Sequence, residues 1–207
     1  MEVDWSVEMG HGDAVLEFPW SSDDEQMRFY NLKLHPELLD EVPEAAEHPA
    51  LRKCLARLNS ADSGYQTAKC DVWREGISPD SGGQPHMCSA YVDVLFTDAR
   101  QLSFDTHESA VRELSSRLKD RDEDAIVGQV PALRPAAQGR HDSGRDNERF
   151  VEFVVRRCFY HGESELIPGC CITFFVHGSG GSEREAYANW AAALEAVTEA
   201  LMAWSKK

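Results

Sequence analysis

The sequence has little positive charge and no long apolar run. Its 207 residues hold 36 acidic and 21 basic side chains, for a net charge of −15. No apolar stretch approaches the roughly 20 residues that a membrane-spanning helix needs. The chain opens with Glu2 and Asp4, where a secretory signal would have a basic and then a long apolar segment. We therefore expect a soluble cytoplasmic protein that does not bind membranes.

The shortage of lysine and arginine is greatest near the start of the chain. Residues 1–50 hold 13 acids and 2 bases, so they contribute −11 to the net charge of −15. Proteins that bind nucleic acid neutralise phosphates with Lys and Arg, so a field of this sign argues against such a partner. The acidic segment is either a solvated surface that aids solubility or a docking surface for a basic partner.

Disulfides are not expected, although the chain has six cysteines. Without an export signal the expected compartment is reducing, and a chain of this size does not need cross-links for stability. Several of the cysteines stand in apolar stretches, where Cys packs as a small apolar side chain.

Two segments repeat the order strand, strand, helix. The first has strand-like runs at 65–73 and 90–96 and a helical pattern over 103–119. The second has runs at 150–159 and 170–176 and a helical pattern over 182–204. At an offset of 80 residues, Val92, Val94 and Phe96 align with Ile172, Phe174 and Val176. The pattern predicts two ββα repeats.

We therefore predict an α+β fold, a two-layer sandwich in which helices cover one face of a mainly antiparallel sheet. An acidic N-terminal extension, residues 1–62, would pack on this domain through a hairpin between 15–18 and 28–32 and two short helices at 36–41 and 49–58. The first repeat covers 63–120 and the second 149–207. The segment between them, 121–148, is rich in charge, Ala, Gly and Pro and is predicted to be a mobile linker.

Three large aromatic residues stand in the acidic segment, where little else is apolar. Trp5, Phe18 and Trp20 are predicted to anchor this segment on the domain. The alternative is that they dock on another protein, because large aromatic side chains supply much of the contact energy at interfaces.

Cysteine and histidine occur near the predicted strands in a pattern that allows a metal site. Cys158 and His161 have the spacing that lets both side chains reach one ion, and His86 and Cys88 begin a strand of the other repeat. These four residues are the candidate ligands of a tetrahedral zinc site, and the alternative is that they belong to the core. Cys88 with His161 is also the candidate pair for a cysteine nucleophile, since a neighbouring imidazolium lowers the pKa of a thiol.

The favoured function is that of a non-catalytic binding or interaction module, because the pattern shows a duplicated fold and no complete catalytic constellation. Duplicated folds leave a groove or a free sheet face between the copies, where a ligand can bind. One alternative is an enzyme that uses Cys and His groups in that groove, and another is a self-associating structural module. The favoured partner is another protein, with no cofactor and no nucleic acid, and the chain is expected to be a monomer or homodimer.

Overall fold

The computed structural model describes residues 1–21, 28–75, 85–127, 148–162 and 165–205. The strands are β1 (Glu2–Glu8), β2 (Val15–Phe18), β3 (Tyr65–Glu75), β4 (His86–Phe96), β5 (Arg149–His161) and β6 (Leu166–Gly180). The α-helices are α1 (Pro43–Glu47), α2 (Pro49–Leu58), α3 (Phe104–Val127) and α4 (Glu183–Trp204). Two short 3-10 helices cover Pro36–Glu41 and Ala99–Leu102.

The six strands form one mixed sheet in the order β1-β5-β6-β4-β3, with β2 also paired to β5. β1 and β2 run parallel to β5, whereas the pairs β5–β6, β6–β4 and β4–β3 are antiparallel. The α+β class predicted from the sequence is confirmed in this form: helices together with a mixed sheet of six strands.

One face of the sheet carries the main hydrophobic core. Alternate side chains of the strands point to this face and are buried against the helices. α4 lies over β6 and β4, with Trp190 fully buried, and α3 lies over β1 and β5, with Leu114 fully buried. The strand residues of this core include Ala90, Val92, Val94, Phe96, Val151, Phe153, Val155, Ile172, Phe174 and Val176.

The backbone of α4 comes closest to the sheet at Gly178 of β6. A Cβ atom on Gly178 would lie 2.1 Å from the backbone nitrogen of Trp190 and 2.5 Å from the carbonyl oxygen of Ala186. Both neighbours are backbone atoms of α4, so a side chain at this position would push the helix away from the sheet. The helix begins shortly afterwards, where the hydroxyl of Ser182 accepts a hydrogen bond from the Glu185 N–H.

The acidic N-terminal segment contributes two strands to the sheet. β1 pairs with the first half of β5, and β2 continues along β5 beyond it. The hairpin between 15–18 and 28–32 is not formed as predicted: β2 pairs with β5, and the local antiparallel pairing that the structure describes there is a single bridge between Ser21 and Arg28. The helices predicted at 36–41 and 49–58 are present, the first as a 3-10 helix. Trp5 packs on the core as expected, and the guanidinium of Arg112 lies 5.0 Å from its ring centre.

The segment predicted as a linker begins as helix. α3 continues to Val127, past the predicted boundary at 120, and residues 128–147 lie outside the described part of the chain. No helix among the described residues is both long and apolar enough to cross a membrane. All six cysteines lie in the described part, and none forms a disulfide.

Replacing Gly178 with Ala should destabilise the protein by about 3 kcal/mol, the upper end of typical overpacking effects, because α4 must move off β6. Urea unfolding followed by circular dichroism measures this difference. Gly181→Ala is the matched control, since a Cβ at Gly181 would lie 3.5 Å from a side-chain oxygen of Glu185, an ordinary contact. Equal effects of the two substitutions would contradict the close approach at Gly178.

Candidate binding face

The face of the sheet opposite α3 and α4 carries no helix among the described residues, and we call it the open face. Because side chains alternate along a strand, the residues between the core positions point to this face. The strand register arranges them in rows across the sheet. The rows are Trp73, Ser89, His177 and Phe150; Asp71, Tyr91, Phe175, Glu152 and Asp4; Asp93, Thr173, Val154 and Ser6; and Cys171, Arg156 and Glu8.

The first row places His177 between two aromatic rings. The ring centres of Trp73 and Phe150 lie 6.2 Å and 5.6 Å from that of His177. Nδ1 of His177 is 2.8 Å from the hydroxyl oxygen of Ser89. Burial lowers the pKa of His177 below its ordinary value, although nearby carboxylates act in the opposite direction. A neutral imidazole at about pH 7 extends the aromatic surface of this row.

The second row continues the aromatic surface and places acids at both ends of it. The ring centres of Tyr91 and Phe175 are 6.0 Å apart, and both side chains are partly exposed. Asp71 lies opposite Tyr91 on β3, and Glu152 lies opposite Phe175 on β5. Two neighbouring rows of the open face therefore expose aromatic rings, with carboxylates beside them.

A buried carboxyl group lies at the centre of the open face. The hydroxyl of Thr173 donates a hydrogen bond of 2.5 Å to Asp93, across the junction of β6 and β4. Burial raises the pKa of Asp93 above its ordinary value, while the Thr173 hydrogen bond and the charges of Arg156 and Lys69 lower it by less. Burial therefore disfavours the charged form of this carboxyl group.

Arg156 connects the centre of the face to the edge strand β1. Its Nε donates to the carboxylate of Glu8 at 2.7 Å, and its Nη1 lies 3.4 Å from the Thr173 hydroxyl oxygen. Its guanidinium carbon also lies 5.3 Å from the ring centre of Phe175. The side chain is 21% exposed, so the pair with Glu8 is partly shielded from solvent.

Negative charge predominates on the open face. Arg156 is engaged by Glu8, and Lys69 lies over the ring of Trp20 at 4.4 Å. Glu75 and Glu148 lie just beyond the first row, two residues from Trp73 and Phe150. Together with the acids within the rows other than the buried Asp93, they outnumber these two cations. These acids are Asp4, Glu8, Asp71, Glu75, Glu148 and Glu152.

A second apolar cluster closes one end of this face. Leu16 of β2 and Cys158 and Tyr160 of β5 are buried there together with Leu95, Ala68 and Cys171. Phe18 and Trp20 pack on this cluster, as predicted for the anchoring of the N-terminal segment. The partly exposed aromatic rows lie toward the other end of the strands.

The structure does not bring the four candidate metal ligands together. Cys88 lies opposite Gly178 of β6, and Cys158 lies opposite Gly169, which is about 30 Å away at roughly 3.3 Å per residue. Cys88 also points into the main core, whereas Cys158 belongs to the cluster on the other face. In the described ranges no group of three or more His, Cys, Asp or Glu side chains is placed to hold a metal ion.

The two histidines of the candidate metal site lie at opposite ends of the sheet. His86 pairs with Gly180 at one end of the sheet, and His161 lies at the other end with Nε2 3.6 Å from a carboxylate oxygen of Glu17. Cys88 and His161, the candidate nucleophile and base, are therefore also at opposite ends. Burial raises the pKa of the Cys88 thiol, which disfavours the reactive thiolate.

No groove separates the two predicted repeats within the described residues. β4 and β6 pair directly from His86 opposite Gly180 to Val94 opposite Ile172. Of the two expected features, a groove or a free sheet face, the described residues form the sheet face. The residues that form it were not singled out from the sequence, although the alternation of Thr173, Phe175 and His177 with core residues was the available signal.

Comparisons with known proteins gave no relative. A scan against protein-family models, a search of curated proteins and a search of solved structures each returned no match.

Asp93→Asn should stabilise the protein by about 1 kcal/mol at neutral pH, since it removes a buried ionisable group and keeps an acceptor for Thr173. The folded-state pKa of Asp93 is above its unfolded value, so the folded state binds more protons and stability falls as pH rises through that interval. The gain should therefore be smaller near pH 4 than near pH 7.5. Urea unfolding at both pH values measures it.

The matched control for this prediction is Asp71→Asn on the neighbouring strand, because Asp71 is exposed. A loss of stability in Asp93→Asn at neutral pH, or a difference that does not vary with pH, would contradict the assignment of a buried carboxyl group with a raised pKa.

Proposed function

We propose that the protein is a non-catalytic binding module that docks a basic segment of another protein on the open face. The observation that carries this proposal is the pair of aromatic rows on a sheet face that none of the described helices covers and whose remaining charges are mostly negative. Aromatic side chains supply contact energy at interfaces, and complementary charge speeds association and selects the partner.

The shape of the surface favours a protein over a small molecule. Small ligands bind in concave pockets that bury most of their surface, whereas a sheet face is broad. The rows between Trp73 on β3 and Glu152 on β5 cross four strands, about 14 Å at roughly 4.8 Å between neighbours. A helix with its side chains is about 10 Å wide, so an amphipathic helix can lie on these rows.

The polar groups of the open face support binding rather than catalysis. Asp93 is hydrogen-bonded to Thr173, and His177 to a Ser89 that is 1% exposed. A nucleophile or base must reach its substrate, and these groups are engaged within the sheet. The enzyme alternative relied on Cys88, Cys158, His86 and His161, which lie at opposite ends of the strands.

We also propose that the sheet and helices form a two-layer sandwich of two ββα repeats, whose hairpins β3–β4 and β5–β6 are related by a local twofold axis. The register of the central strands supports this proposal. Val92 pairs with Phe174, and Val94 pairs with Ile172. In the offset of 80 residues Val92 corresponds to Ile172 and Val94 to Phe174, so a twofold rotation would superimpose each pair on the other. The same offset relates Asp93 to its own partner Thr173, which puts the axis at the centre of the open face.

The remaining expectations are part of the same proposal. A cytoplasmic location agrees with six cysteines that form no disulfide, and an acidic surface does not favour nucleic acid. A monomer leaves the open face free for a partner, whereas self-association through this face would compete with it.

Reversing acids of the open face should weaken the binding of a basic probe. The probe is a synthetic amphipathic helical peptide with Leu on one face and Lys on the other. We expect Glu75→Lys with Glu152→Lys to lower its affinity by about tenfold. NMR titration of the full chain should place the largest chemical-shift changes at Trp73, Tyr91 and Phe175.

The control carries the same change in net charge on the helical side of the molecule. Glu47→Lys with Asp120→Lys replaces two exposed acids away from the open face. If both double variants weaken binding equally, the peptide responds to the total charge of −15 and the proposal is wrong. Chemical-shift changes confined to the helices would lead to the same conclusion.

A further inference from the structure

A pocket of about 480 Å³ lies at the free edge of the sheet, beside β3. This volume is within the range of ligand-binding sites in proteins. Its base includes five consecutive residues of the edge strand, from Thr67 to Asp71. The other lining residues are Trp20, Arg28, Tyr30 and Leu32 from the N-terminal segment, Val42, Pro43, Glu44 and Leu55 from around α1 and α2, and Tyr91 from β4.

β3 is the last strand of the sheet, and among the described residues it pairs with β4 alone. A β-bulge interrupts it at the pocket, where the register moves from Thr67 opposite Val94 to Cys70 opposite Val92. Such bulges bend a strand and redirect its side chains, and they are frequent beside functional sites. The outer side of β3 therefore presents backbone groups to the pocket.

Among the described residues, side chains form hydrogen bonds with the backbone at the start of this stretch. The N–H of Thr67 donates to Oδ1 of Asn59 at 3.0 Å, and the carbonyl oxygen of Ala68 accepts from the indole N–H of Trp20 at 2.8 Å. Beyond these two contacts no strand lies beside Lys69 to Asp71 in the described part of the chain. An unpaired edge of this kind accepts an added strand.

The pocket lining carries two acids, Glu44 and Asp71, and two cations, Arg28 and Lys69. Its two cations lie over aromatic rings, Lys69 at 4.4 Å from Trp20 and Arg28 at 5.7 Å from Tyr30. Burial raises the pKa of Tyr91 to about 12, and the carboxylates of nearby acids, Asp71 among them, contribute in the same direction. Burial also raises the pKa of Cys70, again with a contribution from nearby carboxylates.

We propose that this edge pocket binds an extended peptide segment of another protein, which adds to β3 as a further strand and carries an apolar residue beside a Lys or Arg. Backbone hydrogen bonds to β3 hold the segment. The apolar side chain lies against Leu32, Val42 and Leu55, and the basic side chain lies near Glu44 and Asp71. This site borders the helix-docking surface proposed above and shares Asp71 and Tyr91 with it, but it does not depend on that proposal.

The test uses linear peptides of about 10 residues, which span roughly 33 Å when extended, displayed as a random library and selected on the intact protein. We expect the selected peptides to contain an apolar residue beside a basic one. N-methylation of alternate peptide amides should abolish binding, and N-methylation of the intervening amides should be tolerated, because only every second amide of an added strand faces β3. Hydrogen exchange of the β3 amides should slow when the peptide binds.

Variants of the protein locate the peptide. Tyr30→Ala removes one wall of the pocket and should weaken binding by about tenfold, whereas Phe159→Ala, a partly buried aromatic residue of β5 outside the pocket, should not. Failure to select any peptide, or binding without the alternating N-methyl pattern, would overturn the proposal. Peptides whose affinity falls with Glu75→Lys and Glu152→Lys but not with Tyr30→Ala would bind the open face. That result would overturn the edge-pocket inference and support the proposed docking on the open face.

Discussion

The antiparallel pairing of β4 with β6 joins two hairpins into one continuous sheet, and the position of both long helices depends on that continuity. α4 lies across both central strands because Gly178 has no side chain to hold it away. α3 covers the neighbouring strands β1 and β5 on the same face. Since side chains alternate along each strand, placing both helices on one face leaves a complete set of side chains on the other.

The second set of side chains is mixed in character, which suits a sheet face that no helix covers in the described part of the chain. A uniformly apolar face would associate with other sheets, and the carboxylates beside Tyr91 and Phe175 interrupt it. At the centre, Asp93 and Thr173 satisfy each other, so a polar pair replaces an apolar contact between the two hairpins. The surface therefore combines partly exposed aromatic rings with carboxylates, and these are the features on which the proposed binding of a basic partner rests.

The sequence predicted the elements whose signal is local. The runs at 90–96 and 170–176 and both long helices were found because alternation and the three-to-four-residue spacing are intrinsic to one segment. Pairing between distant segments was not predictable in the same way. β2 pairs with β5, about 140 residues away, rather than forming the predicted local hairpin, and no local pattern encodes that choice. The four candidate metal ligands do not lie together for the same reason. Strand register, which no local pattern encodes, places Cys88 and Cys158 at opposite ends of the sheet.

The claim that the aromatic rows face solvent in the full chain can be tested by solvent paramagnetic relaxation with a neutral gadolinium chelate. The account predicts strong relaxation of the Trp73 indole and the Tyr91 ring. Trp190 of α4 is fully buried and supplies the internal reference for a shielded ring. Relaxation of Trp73 and Tyr91 as weak as that of Trp190 would show that another part of the chain covers these rows, and would contradict a binding role for the open face.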